Sequence, residues 1–312
     1  MQAQDIDYEL FSITDGLSQN LVNTVYQDQF GLLWVGTQSG IDRYDGYRFQ
    51  HFSERELHGT KTNIQWCHAI AEDSVGNMWF GDQLGNVSFL NRQSLKWSNF
   101  NLLNDDDELR RNLDLNTGPF RIFAIWASAT SEEVWVGTEA RGLYQIDRQT
   151  GVVQNFEIRS GQIDQPWIYF IKSWNDGLLI GTDMGLYYFD GQRFESLLAQ
   201  YAVRDITPNP NGGWLMATSN GLVLTNNRFE NFEFLFDARL LESSLGTASL
   251  MSLAYSEEKN RLYLVIENTG LAIWDFQTAL PSRVSLEQKY QSRRVFNDAL
   301  VGRQGIVWLA SN

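Results

Sequence analysis

One segment, Asp28–Asp45, reads DQFGLLWVGTQSGIDRYD, and altered copies of it begin at Asp73, Glu132, Asn175, Gly212, Asn260 and Arg303. Each copy has a polar turn, an apolar run around a large anchor residue, a second small-residue turn with Gly, and an alternating segment. Short aromatic and β-branched runs bounded by Gly, Asp and Asn read as strands joined by tight turns. The anchors are Trp34, Trp79, Trp135, Leu179, Leu215, Tyr263 and Trp308, spaced by 45, 56, 44, 36, 48 and 45 residues. A period near 45 built of short strands predicts an all-β fold, a seven-bladed β-propeller of four-stranded antiparallel blades. A helical solenoid would need a 3.6-residue apolar period between the anchors, and none is present.

The whole chain, 1–312, reads as one propeller domain. Its blades are expected at about 20–53, 64–100, 120–158, 166–198, 201–236, 248–290 and 294–312. Tyr8–Ile13 alternates like an outermost strand and is expected to close the last, incomplete blade. Residues 101–119 form an insertion that accounts for the 56-residue spacing. The acidic run Asp105–Glu108 inside it lacks the offsets of a calcium loop, so it reads as a solvated loop. Gly before each third strand is expected where the chain reverses with no room for a side chain.

The formal net charge of −14 argues against a nucleic-acid partner, because phosphate binding needs a basic surface. The single cysteine, Cys67, excludes an internal disulfide and reads as a buried inner-strand residue. Three histidines lack metal-ligand spacing, so no metal and no cofactor is expected. No run of 18 apolar residues suits a membrane span, and the polar opening MQAQDIDYEL is unlike a signal peptide.

Propeller ligands bind over the central channel, on loops entering the first strand and joining the second to the third. Aligned on the turn glycine, Asn23, His68, Tyr169, Arg204 and Asn297 share one position, and Phe123 joins them on aligning Ile125 with Val25. The preceding outward position holds Leu21, Trp66, Arg121, Trp167, Ala202 and Val295. Trp66, Trp167 and Tyr169 offer flat faces for a sugar or aromatic ring. Arg121, Arg204 and Arg294 suit a carboxylate held by paired hydrogen bonds. The ligand-binding candidates are therefore Asn23, Trp66, His68, Arg121, Trp167, Tyr169, Arg204 and Arg294. The competing reading makes the rings blade packing, the arginines salt bridges and His68 a wall residue. Asp82, Glu139, Asp183 and Glu267 form a partial acidic ring whose default role is solvation. No catalytic motif is present.

Residues 16–46, GLSQNLVNTVYQDQFGLLWVGTQSGIDRYDG, resemble the two-component regulator propeller repeat, with looser copies elsewhere. Blades 5 and 6 depart from it, having Ala217-Thr218 and Val265-Ile266 in place of Gly-Thr. The resemblance implies the periplasmic sensor region of a membrane-anchored bacterial protein, with a second propeller and downstream domains ending in a histidine kinase or diguanylate cyclase. It implies a small-molecule or oligosaccharide ligand, a possible homodimer and no catalysis in this stretch. Two rivals remain open. One is a propeller enzyme, a glycoside hydrolase or lyase with paired carboxylates. The other is a protein-interaction scaffold.

Overall fold

The computed structural model describes residues 8–52, 62–102, 120–128, 131–160, 163–164, 166–237, 249–268, 270–278, 281–283 and 295–311. Arg294 and the acidic run Asp105–Glu108 lie outside them. Among the described residues are six four-stranded antiparallel sheets, each in sequential up-and-down order from an inner to an outer strand. In the first blade the strands are Val22–Gln27, Leu33–Thr37, Gly40–Tyr44 and Phe49–Phe52. The inner strands of the next five are Cys67–Glu72, Ile122–Ala127, Ile168–Trp174, Val203–Pro208 and Leu250–Ser256.

A seventh sheet has only two strands, Phe296–Val301 and Val307–Ser311. The expected seven four-stranded blades are thus corrected to six, plus this pair. Its inner strand packs against the inner strands of both the sixth and the first blade.

The expected closing strand over Tyr8–Ile13 is also corrected. Residues 8–12 belong to none of the described strands, and Ile13–Asp15 is a 3-10 turn. Local bonds win there. The Ser12 hydroxyl accepts from the Thr14 N–H at 3.3 Å, and the Asp15 carboxylate accepts from the Ser12 N–H at 2.8 Å. A capping box of this kind offers the backbone an alternative to a ladder. Phe11 still spans the seam, with ring centroids 5.1 Å from Tyr44, 5.8 Å from Phe49 and 6.1 Å from Trp308. A further departure is a small hairpin between blades three and four, Arg159–Ser160 with Ile163–Asp164.

The anchors sit between blades, as the repeat predicts. Trp34 packs in a cluster with Ile64, Cys67, Met78 and Phe80 of the second blade, and Trp79 in one with Ile122, Val134 and Val136 of the third. Trp135 does the same with Ile168 and Ile180, and Leu215 with Leu262 and Leu264. Trp308 lies on the cluster that joins the two-stranded sheet to Leu17, Val22 and Val35.

In the second and third blades the glycine near the end of the second strand has a job distinct from turning the chain. A Cβ on Gly137 would stand 2.4 Å from Ile168 Cγ2 of the next blade, and one on Gly81 would stand 2.5 Å from Ile122 Cγ2. The missing side chain lets the next inner strand press in. Gly137→Ala is expected to cost about 1–3 kcal/mol through overpacking, read as a lowered urea midpoint. The turn role belongs to glycines such as Gly40, at φ +117° with its Cβ position 2.7 Å from the Phe52 carbonyl.

Candidate functional site

Every inner strand contains a β-bulge at one equivalent place. Register slips between Val22 and Thr24, Cys67 and Ala69, Ile168 and Phe170, Val203 and Asp205, Leu250 and Ser252, and Phe296 and Asp298. In the third blade Ile122 and Ala124 face consecutive residues, Thr138 and Gly137. The bulged residues are Asn23, His68, Phe123, Tyr169, Arg204, Met251 and Asn297. A bulge opposes two residues to one and re-aims the extra side chain. The position aligned from sequence is therefore a structural one, repeated around the inner strands. Met251 escaped the alignment because its blade has no glycine in the turn between its first two strands. It stands 12 residues before Tyr263, as Phe123 stands 12 before Trp135, but Asn23, His68, Arg204 and Asn297 stand 11 before their anchors and Tyr169 stands 10, so the count from the anchor does not single it out.

The bulged residues divide by what they touch. Asn23 donates its side-chain amide to the Cys67 carbonyl at 2.9 Å, and Asn297 donates to the Val22 carbonyl at 2.7 Å. Both tie one inner strand to the next. For Asn23, expected at the ligand face, one amide hydrogen is used as a strand-to-strand link.

The others form a continuous arc over blades two to six. Trp66 stacks on His68 at 5.6 Å, and His68 meets the edge of Phe123 at 6.0 Å. Phe123 lies 6.2 Å from Trp167, nearly parallel, and 6.0 Å from Tyr169. The Arg204 guanidinium sits 5.9 Å over the Tyr169 ring. Arg204 donates to the Ser249 hydroxyl at 2.6 Å and to Glu267 at 3.2 Å, beside the Met251 sulfur at 3.0 Å. It is a held cation rather than a free one. The structure thus brings Trp66, His68, Arg121, Trp167, Tyr169 and Arg204 to one mouth. Trp167 is 38% exposed there.

Polar groups at the blade-two and blade-three end of the arc are incompletely bonded. Trp66 Nε1, His68 Nε2, Arg121 Nε and Glu139 Oε2 are buried atoms without a hydrogen-bond partner among the described residues. Arg121 Nε and Glu139 Oε2 are 3.6 Å apart, an ion pair too long for a good hydrogen bond. Burial, and next the Arg121 charge, pull the His68 imidazole down to about 4, so it is neutral at pH 7. Burial raises the Glu139 carboxyl, and Arg121 partly offsets it.

The acidic residues of the second turn are not a loose solvated ring. Asp82 accepts from the Leu84 N–H at 2.7 Å and from the Asn86 N–H and side-chain amide at 2.9 and 2.8 Å. Asp183 accepts from the Trp167 N–H at 2.9 Å, which fixes where that indole enters the mouth.

Deeper in the channel wall a polar chain escaped the sequence reading. Asp205 accepts from the Leu253 N–H at 2.8 Å and the Ser252 hydroxyl at 3.2 Å. Asp298 accepts from the Val25 N–H at 3.2 Å and the Thr24 hydroxyl at 3.1 Å, and Ser252 also reaches it at 3.2 Å. Burial chiefly, and then the neighbouring Asp205 charge, raise Asp298 to about 6. Lys172 lies 3.7 Å from Asp205. These carboxylates stitch neighbouring inner strands together.

Among the described residues no group of three or more His, Cys, Asp or Glu is placed to hold a metal ion. No helix of the described residues is long and apolar enough to cross a membrane.

Comparison with known proteins gives three kinds of match. Residues 16–39 match the family model described as "Two component regulator propeller". A 52-residue stretch is 42% identical to Histidine kinase P4 of Formosa agariphila, covering 16% of this chain and 4% of that protein. The fold is similar to the extracellular domain of BT3049 of B. thetaiotaomicron, assigned as a hybrid two component system. There the TM-score is 0.73 at 21% identity, over 97% of this chain and 40% of that one. It is similar too to the extracellular domain of BT4673 of the same organism, with a TM-score of 0.69 at 17% identity over 95% of this chain and 38% of that one. The chain thus spans about 40% of the length of the solved structure it matches at 0.73. Its first blade carries the two component regulator propeller repeat.

Proposed function

We propose that this chain is the ligand-sensing propeller of an extracytoplasmic, periplasmic sensor region in a longer membrane-anchored signalling protein. Its inner strands occupy seven positions, and 1–312 acts as one domain ahead of a second propeller. Ligand or partner binding is relayed to a cytoplasmic histidine kinase or diguanylate cyclase. Relay follows if the ligand binds one arrangement of the propellers, or of a homodimer, more tightly than another.

The observation that carries the reading is the arc of Trp66, His68, Phe123, Trp167, Tyr169 and Arg204. Bulges aim it at one mouth, and its blade-two and blade-three end has buried polar atoms unbonded. The similarity to extracellular domains of sensor systems supports the sensing role. The catalytic rival finds less support. Asp205 and Asp298, which share the Ser252 hydroxyl, spend lone pairs on backbone N–H and hydroxyl groups of adjacent strands.

A thermal-shift screen against small acids and glycans tests the binding, because a ligand of the native state alone raises stability by mass action. Trp167→Ala is expected to weaken any ligand found by about tenfold, roughly the 1.4 kcal/mol that a stacked ring is worth. A ligand whose affinity ignores Trp167 is bound elsewhere, and the site assignment fails. Output of the full-length parent that stays flat while this ligand binds removes the relay.

A further inference from the structure

We propose that the mouth takes a ring-bearing carboxylic acid, with its ring on the open face of Trp167 and its carboxylate at Arg121. This rests on the sensing reading above and specifies its ligand class.

The geometry selects both halves of such a molecule. Phe123 backs one side of Trp167, nearly parallel at 6.2 Å, and the indole is 38% exposed. The Trp167 backbone N–H donates to the Asp183 carboxylate at 2.9 Å, which fixes the start of this strand. A supported, partly open flat face takes up a ring with little loss of side-chain freedom. Arg121 stands at the same outward position one blade earlier, between Trp66 and Trp167.

The unbonded groups near Arg121 are mostly donors. Trp66 Nε1 and Arg121 Nε can only donate, and neutral His68 can present a donor at Nε2. A carboxylate supplies only acceptor sites, up to four lone pairs, and so matches this set. Glu139 does not already fill the role. At 3.6 Å from Arg121 Nε it makes no good hydrogen bond, and the Arg121 side chain is 36% exposed. The remaining acids around the mouth are occupied: Asp82 by Leu84 and Asn86, Asp183 by Trp167, and Glu267 by Arg204. Trp79 Nε1 is also unbonded, but it lies in the apolar packing between blades two and three.

A carboxylate held by Arg121 should also be read out at His68, which responds to the Arg121 charge. The chain has three histidines, so the His68 ring signal can be assigned by comparison with His68→Gln.

The test titrates the full chain with two acid and neutral pairs, benzoate against benzamide and glucuronate against glucose. Affinity is read by calorimetry and the His68 titration by NMR. In at least one pair the acid should bind tenfold or more tightly than its neutral partner, and should move the His68 midpoint upward. The pair that responds separates an aromatic acid from a sugar acid. Arg121→Gln should abolish the preference. Arg121→Lys, which keeps the charge without the planar fork, should retain part of it and guards against a variant that merely misfolds.

Equal binding of acids and neutrals, or a preference that survives Arg121→Gln, overturns the carboxylate assignment. If that binding still needs Trp167, the sensing site stands. No binding by any of the four probes at tens of millimolar overturns the carboxylate assignment, and a Trp167-dependent hit in the wider screen then decides the site separately.

Discussion

Asp28→Ala is expected to destabilise the protein by about 3–5 kcal/mol, the typical effect of breaking a buried ion pair. Asp28 is completely buried and does four things at once. One oxygen accepts from the Phe30 and Leu32 N–H groups at 3.0 and 2.9 Å, closing the turn. The other accepts from Trp34 Nε1 at 2.8 Å and pairs with Arg92 of the second blade at 2.8 Å. Alanine would leave two backbone donors, an indole N–H and a buried guanidinium without an acceptor, each costing its own desolvation. It would also remove the acceptor that orients the Trp34 indole and one tie between blade one and blade two. The second blade repeats the device, with Asp73 bonded to Val75 and Asn77 and paired at 2.6 Å with Arg148 of the third blade. Urea denaturation of both variants checks this. A cost below about 1 kcal/mol for Asp28→Ala would mean that blade packing alone orients Trp34.

The second large effect depends on pH. Asp298 joins the two-stranded sheet to the first and sixth blades, and its carboxyl is raised to about 6. A raised carboxyl binds its proton more tightly in the folded state. The stability linked to that proton is full below the ordinary value of about 4 and is lost as pH rises through about 6. Two pK units set a ceiling of about 3 kcal/mol, and the contact Asp298 keeps with the channel lowers it. Asp298→Asn keeps a neutral group of the same shape. The stability of the native chain relative to this variant is therefore expected to fall by up to about 3 kcal/mol between pH 4 and pH 7. Denaturation of both proteins across that range gives the difference directly, and the other titrating groups cancel in it. A flat difference would mean that Asp298 is held ionised, with its donors Val25, Thr24, Ser252 and the Ala299 N–H outweighing burial and Asp205.

The sequence was legible wherever one repeat unit carries its own instructions. Trp34, Trp79 and Trp135 stand between blades as expected, because an indole after a tight turn has only the next sheet to pack on. The inner-strand position of His68, Tyr169 and Arg204 was readable from the turn glycine, since short strands of fixed length preserve phase from copy to copy. Met251 was lost where that glycine was absent, because the distance from bulge to anchor varies from 10 to 12 residues between copies.

Other features depended on partners far along the chain. Nothing near Asn23 says that its amide is used by the Cys67 carbonyl, 44 residues away. Nothing near Asp298 announces Val25 and Thr24, which reach it only because the last inner strand packs on the first. Tyr8–Ile13 has the alternation of a strand, yet Ser12 and Asp15 form a local cap that alternation does not report. The repeat determined by itself that this chain is a propeller with indoles between its blades, because each unit must bury its face on a neighbour. Which bulged side chains are structural links, and which are left facing the mouth with unbonded donors, was decided only when the inner strands came together, because a hydrogen bond depends on where its acceptor stands in space.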